Sequence, residues 1–320
     1  MKRSTSYWLI TAAVLIVAGL VLFAGVMSAN AWDFKAIGLI GYETRTLDIN
    51  EQFDSISIQS DTADIQFMPS EDGQCHIVLR EQQKVKHSVS IKNSSLTVEV
   101  KDERKWYEHL SILTSSPQIT IYLPRSEYAA LSIEESTGDV VIPKGFAFGS
   151  IRISASTGDI ACAASASGLI SIKTSTGDIR IENLHAGEAQ LSVTTGKVEM
   201  YSVSCDGNIT INVDTGKTIL SDVACNSILS KGSTGRITFT NVIAKETIEI
   251  TRSTGDVKLD GCDAASLTIT TGTGNVSGTL LSEKTFITCT STGRVRVPET
   301  TAPGICRVTT STGNISFSVQ

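Results

Sequence analysis

Residues 156–160 are Ser-Thr-Gly-Asp-Ile, and the same five residues recur at 175–179. The Thr-Gly pair inside this stretch belongs to a series of ten, which follow one another at intervals of 19 or 20 residues. So regular a period is the signature of a repeat protein. The glycines of the series are Gly138, Gly158, Gly177, Gly196, Gly216, Gly235, Gly255, Gly274, Gly293 and Gly313.

Each repeat holds two short segments in which apolar and polar residues alternate. In the repeat of Gly177, Ile170 and Ile172 precede the glycine, and Ile179 and Ile181 follow it. Alternation of β-branched residues predicts strands with one buried face. The apolar parity slips by one residue across the glycine. This slip predicts a corner, where glycine adopts a positive φ without steric cost.

Threonine precedes all ten glycines. Its parity matches that of the buried positions, so we expect an inward column of threonines at the corner, with hydroxyls bonded locally. At the other end of each repeat we expect a longer, variable loop, such as the one from Glu182 to Gln190.

One pair of strands cannot bury its own apolar face, but stacked coils can. The repeat therefore predicts an all-β fold, a single-stranded parallel β-helix (β-solenoid) of about ten 19–20-residue coils over residues 126–320. At about 4.8 Å per coil the rod would be roughly 48 Å long. Propeller blades need about 40–45 residues, which excludes that alternative.

Residues 33–125 are less regular and are expected to form an irregular β N-terminal cap. Asp61-Thr62-Ala63-Asp64 imitates the corner and predicts one degenerate coil. Residues 101–110 are expected to form a loop or a short helical turn. Further apolar segments predict strands, at residues 75–79, 89–91, 96–100 and 119–123.

Residues 7–27 form an apolar run without charge, preceded by Lys2 and Arg3. As a helix the run would be about 30 Å long, enough to cross a bilayer with the N-terminus inside. Residues 1–32 are therefore expected to be a cytoplasmic stub and a transmembrane anchor. A cleaved signal peptide is the alternative, since Ala29-Asn30-Ala31 suits cleavage. Both alternatives place the bulk of the chain outside the cytoplasm.

Three kinds of segment carry a family resemblance: Phe53-Asp54-Ser55-Ile56-Ser57-Ile58, Ile119-Thr120-Ile121-Tyr122-Leu123-Pro124 and the Ser-Thr-Gly-Asp turns. Over residues 45–320 the chain resembles a bacterial β-strand-repeat family of unknown function whose members are labelled "putative adhesin". It is also similar to the membrane-anchored cell-envelope proteins of Gram-positive bacteria in that group. The resemblance implies an exported, non-enzymatic surface protein, and it supplies neither a ligand nor catalytic residues.

The composition argues against several functions. A net charge of −6 disfavours a nucleic-acid binder, which normally has a basic face. The sequence contains no Gly-x-Ser-x-Gly elbow, phosphate-binding loop or His-Glu-x-x-His motif, and its four histidines are scattered. We therefore expect no catalytic residues, no cofactor and no metal site.

Three side-chain patterns among the repeats have both a structural and a functional interpretation. Asp139, Asp159 and Asp178 follow consecutive glycines and could hold a cation, but solvated turn residues are favoured. Recurring Thr-x-Thr pairs such as Thr174 and Thr176 could bind ice if they faced outward, which the inward parity disfavours. Two of the seven cysteines, Cys205 and Cys225, occupy equivalent positions; a disulfide is possible there, but stacked small residues are favoured.

The leading hypothesis is a membrane-anchored extracytoplasmic scaffold or binding module of the bacterial envelope. The alternatives are a solenoid enzyme acting on glycans, tested at Asp159 and Asp178, and an envelope-stress accessory that binds another membrane protein. Expected partners are the membrane, an envelope protein or a surface glycan. The last strand, Ile315 to Val319, is expected to be an uncovered edge that pairs with a second copy or is shielded by a partner.

Overall fold

The computed structural model of the chain describes residues 3–29, 42–103 and 116–320. It begins with helix α1 (Arg3–Ala29). Within α1, Tyr7–Gly25 has a mean hydropathy of 2.5 and is not buried by the rest of the protein. In the described ranges it is the one helix long and apolar enough to cross a membrane. Most of the segment expected to be a loop or helical turn, residues 101–110, lies outside the described residues.

The N-terminal region contains seven strands, which confirms the predicted strands and the degenerate coil. They are β1 (Tyr42–Ile49), β2 (Ser55–Ser60), β3 (Asp64–Pro69), β4 (Cys75–Gln82), β5 (Val85–Lys92), β6 (Ser95–Asp102) and β7 (Gln118–Leu123).

The repeats contain the remaining strands, and each coil is numbered 1 to 10 by its glycine in the order Gly138 to Gly313. The strands are β8 (Glu127–Thr137), β9 (Val140–Ile142), β10 (Ala147–Thr157), β11 (Ile160–Cys162), β12 (Ser165–Thr176), β13 (Ile179–Thr195), β14 (Val198–Cys205), β15 (Asn208–Thr215), β16 (Thr218–Thr234), β17 (Ile237–Thr254), β18 (Val257–Cys262), β19 (Ser266–Thr273), β20 (Val276–Leu280), β21 (Thr285–Thr292), β22 (Val295–Arg296), β23 (Ile305–Thr312) and β24 (Ile315–Val319).

The coils stack in parallel and in register, which confirms the predicted β-solenoid. Ile153 of coil 2 lies opposite Ile133 of coil 1 and Ile172 of coil 3. Like residues therefore form columns along the axis, and the interior is mainly apolar, with a few buried polar side chains such as Thr174 and Arg252. The position seven residues before the glycine is no more than 1% exposed in nine of the ten coils, at Leu131, Ile151, Ile170, Ala189, Ile209, Ile228, Ile248, Leu267 and Cys306.

The corner brings the backbones of successive coils too close for a side chain. A Cβ atom added to Gly158 would lie 2.0 Å from the carbonyl oxygen of Gly138, and Gly158 has a φ of 139°. Both the close approach and the positive φ require glycine. The same contact recurs along the stack, so the period in the sequence reflects a steric requirement of every coil.

A second corner lies six residues after the glycine in coils 3 to 7. Asn183, Ser202, Asp222 and Asn241 have φ values of 52–57° there, as a left-handed corner requires, and Gly261 has a φ of 62°. The expected variable loop from Glu182 to Gln190 is therefore wrong, because these residues lie within the continuous strand β13. Short polar residues that tolerate this conformation replace a long loop.

The coils do not stack in sequence order at the C-terminal end. Coil 10 (β23 and β24) pairs with coil 8 (β19 and β20) on one side and with coil 9 (β21 and β22) on the other. The expectation that Ile315 to Val319 is uncovered is therefore wrong for Ile315 and Ser316, which pair with β22 as well as with β20. Residues 317–319 pair with β20 alone, so the expectation holds for them. Coil 9 forms the rest of the uncovered edge.

The N-terminal end has the same arrangement. The coil of β2 and β3 lies between coil 1 and a further coil made of β6 and β7. The twelve coils of the described chain give a stack about 53 Å long. Antiparallel strands then close this end: β4 pairs with β7, β1 with β4, and β5 with β6.

Candidate binding surfaces

The ten threonines that precede the corner glycines form one exposed column along the rod. Thr157 lies opposite Thr137 and Thr176, and the register continues through all ten coils. All ten are exposed, so the predicted inward column is wrong at this position. The alternation stops at the corner, where the last two residues of the strand both point outward.

The inward threonines lie two residues earlier. Thr174, Thr271 and Thr310 are 1–2% exposed, and each hydroxyl donates to a glycine carbonyl of a neighbouring coil at 3.1–3.4 Å. In each such Thr-x-Thr pair one threonine is buried and the other is exposed. The parity argument against an outward ladder thus fails for the exposed column, which presents a narrow line of hydroxyls.

The aspartates after the glycines are bonded to backbone. An Oδ1 of Asp139 accepts the amide of Asp159 at 2.8 Å, and that of Asp159 accepts the amide of Asp178 at 2.8 Å. Asp178 also forms an ion pair with Lys197 at 3.1 Å. These carboxylates therefore hold successive corners together. In the part of the chain that the structure describes, no group of three or more His, Cys, Asp or Glu residues is arranged to hold a metal.

All seven cysteines are free thiols. Cys205 and Cys225 are buried in neighbouring coils, as expected for stacked small residues. Burial raises the pKa of the Cys225 thiol to about 12, so this thiol is protonated and unreactive. Cys289, on the edge strand β21, is the exposed one.

A buried polar network joins the cap to the first coils, and the sequence analysis missed it. The ring of His87 lies 3.2 Å from Glu81 Oε2 through Nδ1 and 3.3 Å from Ser60 Oγ through Nε2. Arg45 Nη2 lies 3.2 Å from Glu81 Oε1. Glu135 accepts the amide of Thr137 at 3.3 Å. The alternation of Cys75, Ile77 and Leu79 places Glu81 inward, which is the signal that could have predicted it.

Ser60, His87 and Glu81 are arranged like a nucleophile, its general base and the carboxylate that orients the base. Their burial, however, argues against a catalytic role. His87 is 3% exposed, Ser60 8% and Glu81 0%, and no described cleft opens onto Ser60. A substrate carbonyl must come within about 3 Å of the nucleophile, and a serine this little exposed gives it poor access. The network instead ties β1, β4 and β5 to β2 and β8.

Glu135 makes this junction sensitive to pH. Burial raises the pKa of its carboxyl from 4.5 to about 7, although hydrogen bonds from Ser60 and Thr137 act in the opposite direction. The folded state thus binds a proton that the unfolded state releases above about pH 4.5. Stability should fall by about 3 kcal/mol as the pH rises from below 4.5 to above 7. Chemical unfolding at a series of pH values measures this loss.

The matched control is Glu135→Gln, which keeps the shape and the acceptor for the backbone amides. The variant should be more stable than the native chain above pH 7 and should lose this part of the slope. The raised pKa of His76 also lowers stability as the pH rises, while the lowered pKa of His87 has the opposite effect and raises stability as the pH rises towards 6.5. Parallel pH curves for native and variant chains would contradict the assignment.

A shallow cleft of about 780 Å³ lies beside the cap, lined by Met68, Asp72, His76, Tyr122 and Arg125 among others. Both ring nitrogens of His76 lie 2.8 Å from a carboxylate, at Asp48 and Asp72. Ionised carboxylates only accept hydrogen bonds, so this geometry favours the imidazolium form and raises the pKa of His76. The hydrogen bonds of His76 are thus taken up by its two carboxylates, and the cleft is also lined by the polar side chains of Glu71, Tyr122 and Arg125.

Comparison with known proteins agrees with this architecture. Two segments, residues 53–213 and 204–320, match the family model described as Toastrack DUF4097. The chain belongs to the Toastrack DUF4097 family. The family match begins just before β2 and includes all ten repeats, and it confirms the resemblance inferred from the sequence. None of the curated proteins matches the chain.

Several solved structures are similar to the chain at low sequence identity. A "putative adhesin" of Parabacteroides merdae is 12% identical with a TM-score of 0.52, covering 88% of this chain and 98% of its own. A "putative lipid binding protein" of Parabacteroides distasonis is 14% identical with a TM-score of 0.49, covering 88% and 98%. A "putative adhesin" of Bacteroides fragilis is 15% identical with a TM-score of 0.43, covering 87% and 97%. At these identities the likeness concerns the fold alone.

Proposed function

We propose that this Toastrack protein is a membrane-tethered, non-enzymatic binding rod on the outer side of a bacterial cell membrane. In this proposal residues 1–32 are the cytoplasmic stub and anchor, 33–125 the cap region and 126–320 the repeats. The observation that carries it is the placement of the two ends. Strand β1, which follows the anchor, lies at the cap end, and coil 9 lies at the opposite end of the stack.

The tether and the free end are separated by about 53 Å of stacked coils. A rod tethered at its cap would hold coil 9 away from the lipid surface, where a partner can reach it. The apolar stretch Tyr7–Gly25 and the charges of Lys2 and Arg3 support the tether and its orientation. The labels of the structural neighbours as adhesins or a lipid-binding protein support a binding role over catalysis.

The test uses the full chain with a tag at each end, expressed in a Gram-positive host. We expect the chain in the membrane fraction, resistant to alkaline extraction, with both tags retained. External protease added to protoplasts should remove the C-terminal tag and spare the N-terminal one. A protected C-terminal tag, or loss of the N-terminal tag by cleavage, would contradict the tethered orientation.

The matched control places charge in the middle of the apolar run. The double variant Leu15→Arg, Val17→Arg leaves the solenoid untouched, but each arginine costs about 2.5–3.5 kcal/mol at a helix centre in a membrane. We expect this variant to leave the membrane fraction. Unchanged fractionation would show that another surface, and not α1, holds the protein at the membrane.

A further inference from the structure

Coil 9 ends the stack with an edge that natural sheets usually protect. In the described residues, β21 and β22 pair only with coil 10, so their other side has unpaired amides and carbonyls. The eight residues of β21, Thr285–Thr292, include no charged residue and no proline. Charged residues, prolines and bulges usually prevent an edge strand from pairing with another chain. Strand β21 has neither a charged residue nor a proline.

The same edge leaves apolar side chains of the solenoid interior uncovered. Val295 is 45% exposed, whereas Val276 and Ile315, at the equivalent position of coils 8 and 10, are 0% exposed. Phe286 and Val297 pack against the core and are half-buried. A further layer of strand stacked on coil 9 would bury these groups, as coil 10 buries those of coil 8.

The cap end is protected and does not complement this edge. The outer strands there carry several charges, and Lys86 of β5 pairs with Glu43 of β1 at 2.6 Å. Stacking that end on β21 would remove charges from water against an uncharged strand. Head-to-tail filaments are therefore disfavoured. The charged residues of β1 and β5 include Glu43, Arg45, Asp48, Lys86 and Lys92.

We propose that coil 9 binds coil 9 of a second copy of this chain, with β21 antiparallel to β21 across a twofold axis. The identical edge is uncharged in its strand, so no like charges oppose each other along it. A twofold axis through residue 288 or 289 keeps the outward side chains of β21 opposite outward side chains of the second copy, and the core-facing ones opposite core-facing ones.

The positions of the two membrane anchors determine what such a dimer can connect. If the proposed membrane tether at the cap holds, the two anchors of the dimer face away from each other, about 110 Å apart or more. Such a dimer joins two surfaces and does not form within one membrane. The chain would then act as a homophilic adhesion rod.

The test measures dimerisation of the full chain in lipid nanodiscs that hold one copy each. Mass photometry should detect pairs of discs that separate on dilution. Ile287→Asp places like charges across the edge and should weaken dimerisation at least tenfold. The matched control, Thr270→Asp, puts a carboxylate at an exposed outward position of coil 8, away from the edge, and should leave dimerisation unchanged.

Cross-linking tests the contact directly. Copper phenanthroline with air oxidises two thiols to one disulfide, with oxygen taking up the two electrons and two protons. Outward side chains oppose outward side chains in this pairing, so cysteine at 287, 289 or 291 should give a disulfide-linked dimer at one position at least. The native Cys289 tests position 289. Ile287→Cys and Ser291→Cys are each made in the Cys289→Ser background. Thr270→Cys on the same background should give none.

Three outcomes would overturn the proposal: discs that stay single at every concentration, dimers that survive Ile287→Asp, or no cross-link at any of the three positions. Discs that stay single but bind another protein at coil 9 would assign the edge to a different partner. A chain that is tethered and exported, yet single, would sink this inference while the proposed function stands.

Discussion

Ile315→Asp should unfold the C-terminal coils, whereas Val295→Asp should lower the melting temperature by only a few degrees. The two residues occupy the same position of successive repeats, two residues after the glycine. Ile315 is 0% exposed and lies between Val276 and Val295, so an aspartate there is an unpaired charge in an apolar interior. Val295 is 45% exposed, and a carboxylate there can reach water.

The comparison is decisive because the sequence order predicts the opposite ranking. In a solenoid wound strictly in order, coil 9 would be enclosed and coil 10 would be the exposed end. Thermal unfolding of the two variants beside the native chain, followed by circular dichroism, measures the difference. A greater loss in Val295→Asp than in Ile315→Asp would contradict the stacking order coil 8, coil 10, coil 9.

The period and the alternation were enough to predict the coils, their register and their buried columns. They could not predict the order of the coils at the ends, because every coil offers its neighbours the same edge and the same spacing. What distinguishes the ends is a set of contacts between segments distant in sequence. Lys284, in the connection after coil 8, is 5% exposed and pairs with Asp263 at 2.8 Å. No local pattern indicates that pair.

The sequence analysis wrongly placed the corner threonines on the inward side, and the reason is related. Alternation indicates which side a residue faces only while the strand stays straight, and it stops two residues before the glycine. Threonine is compatible with either side, so its identity did not reveal the error. Arg252 is a further case: it is 2% exposed, three residues before its glycine. Its guanidinium reaches across the vacant side-chain position of Gly232 and donates to Thr218 Oγ1 at 2.8 Å.

The cap was harder to predict because its determinants are polar groups, of which Glu81, His87 and Glu135 are buried and Arg45 is partly exposed. Arg45, Glu81, His87 and Glu135 lie on four different strands, and each looks like an ordinary surface residue in the sequence. Only their convergence in space makes them a network. Position within the repeat gives one hint, since Glu135 occupies the same inward position as Thr174 and Arg252.

Gly216→Ala should destabilise the rod by about 3 kcal/mol or more, although it adds a single methyl group. A Cβ atom there would lie 1.6 Å from the carbonyl oxygen of Gly196, and the φ of 147° is one that alanine rarely adopts. The carbonyl belongs to the backbone of coil 4 and cannot rotate away, so coils 4 and 5 must separate at the corner. The melting temperature should fall by roughly 10 °C.

The neighbouring Thr215→Ala is the matched control, because Thr215 is exposed. Surface substitutions of this kind change stability by about 0.5 kcal/mol or less. Limited proteolysis should then cut Gly216→Ala first near coils 4 and 5, since each coil depends mainly on its nearest neighbours. Equal stability of the two variants would mean that successive corners are not in van der Waals contact, and a parallel, in-register stack could not be maintained.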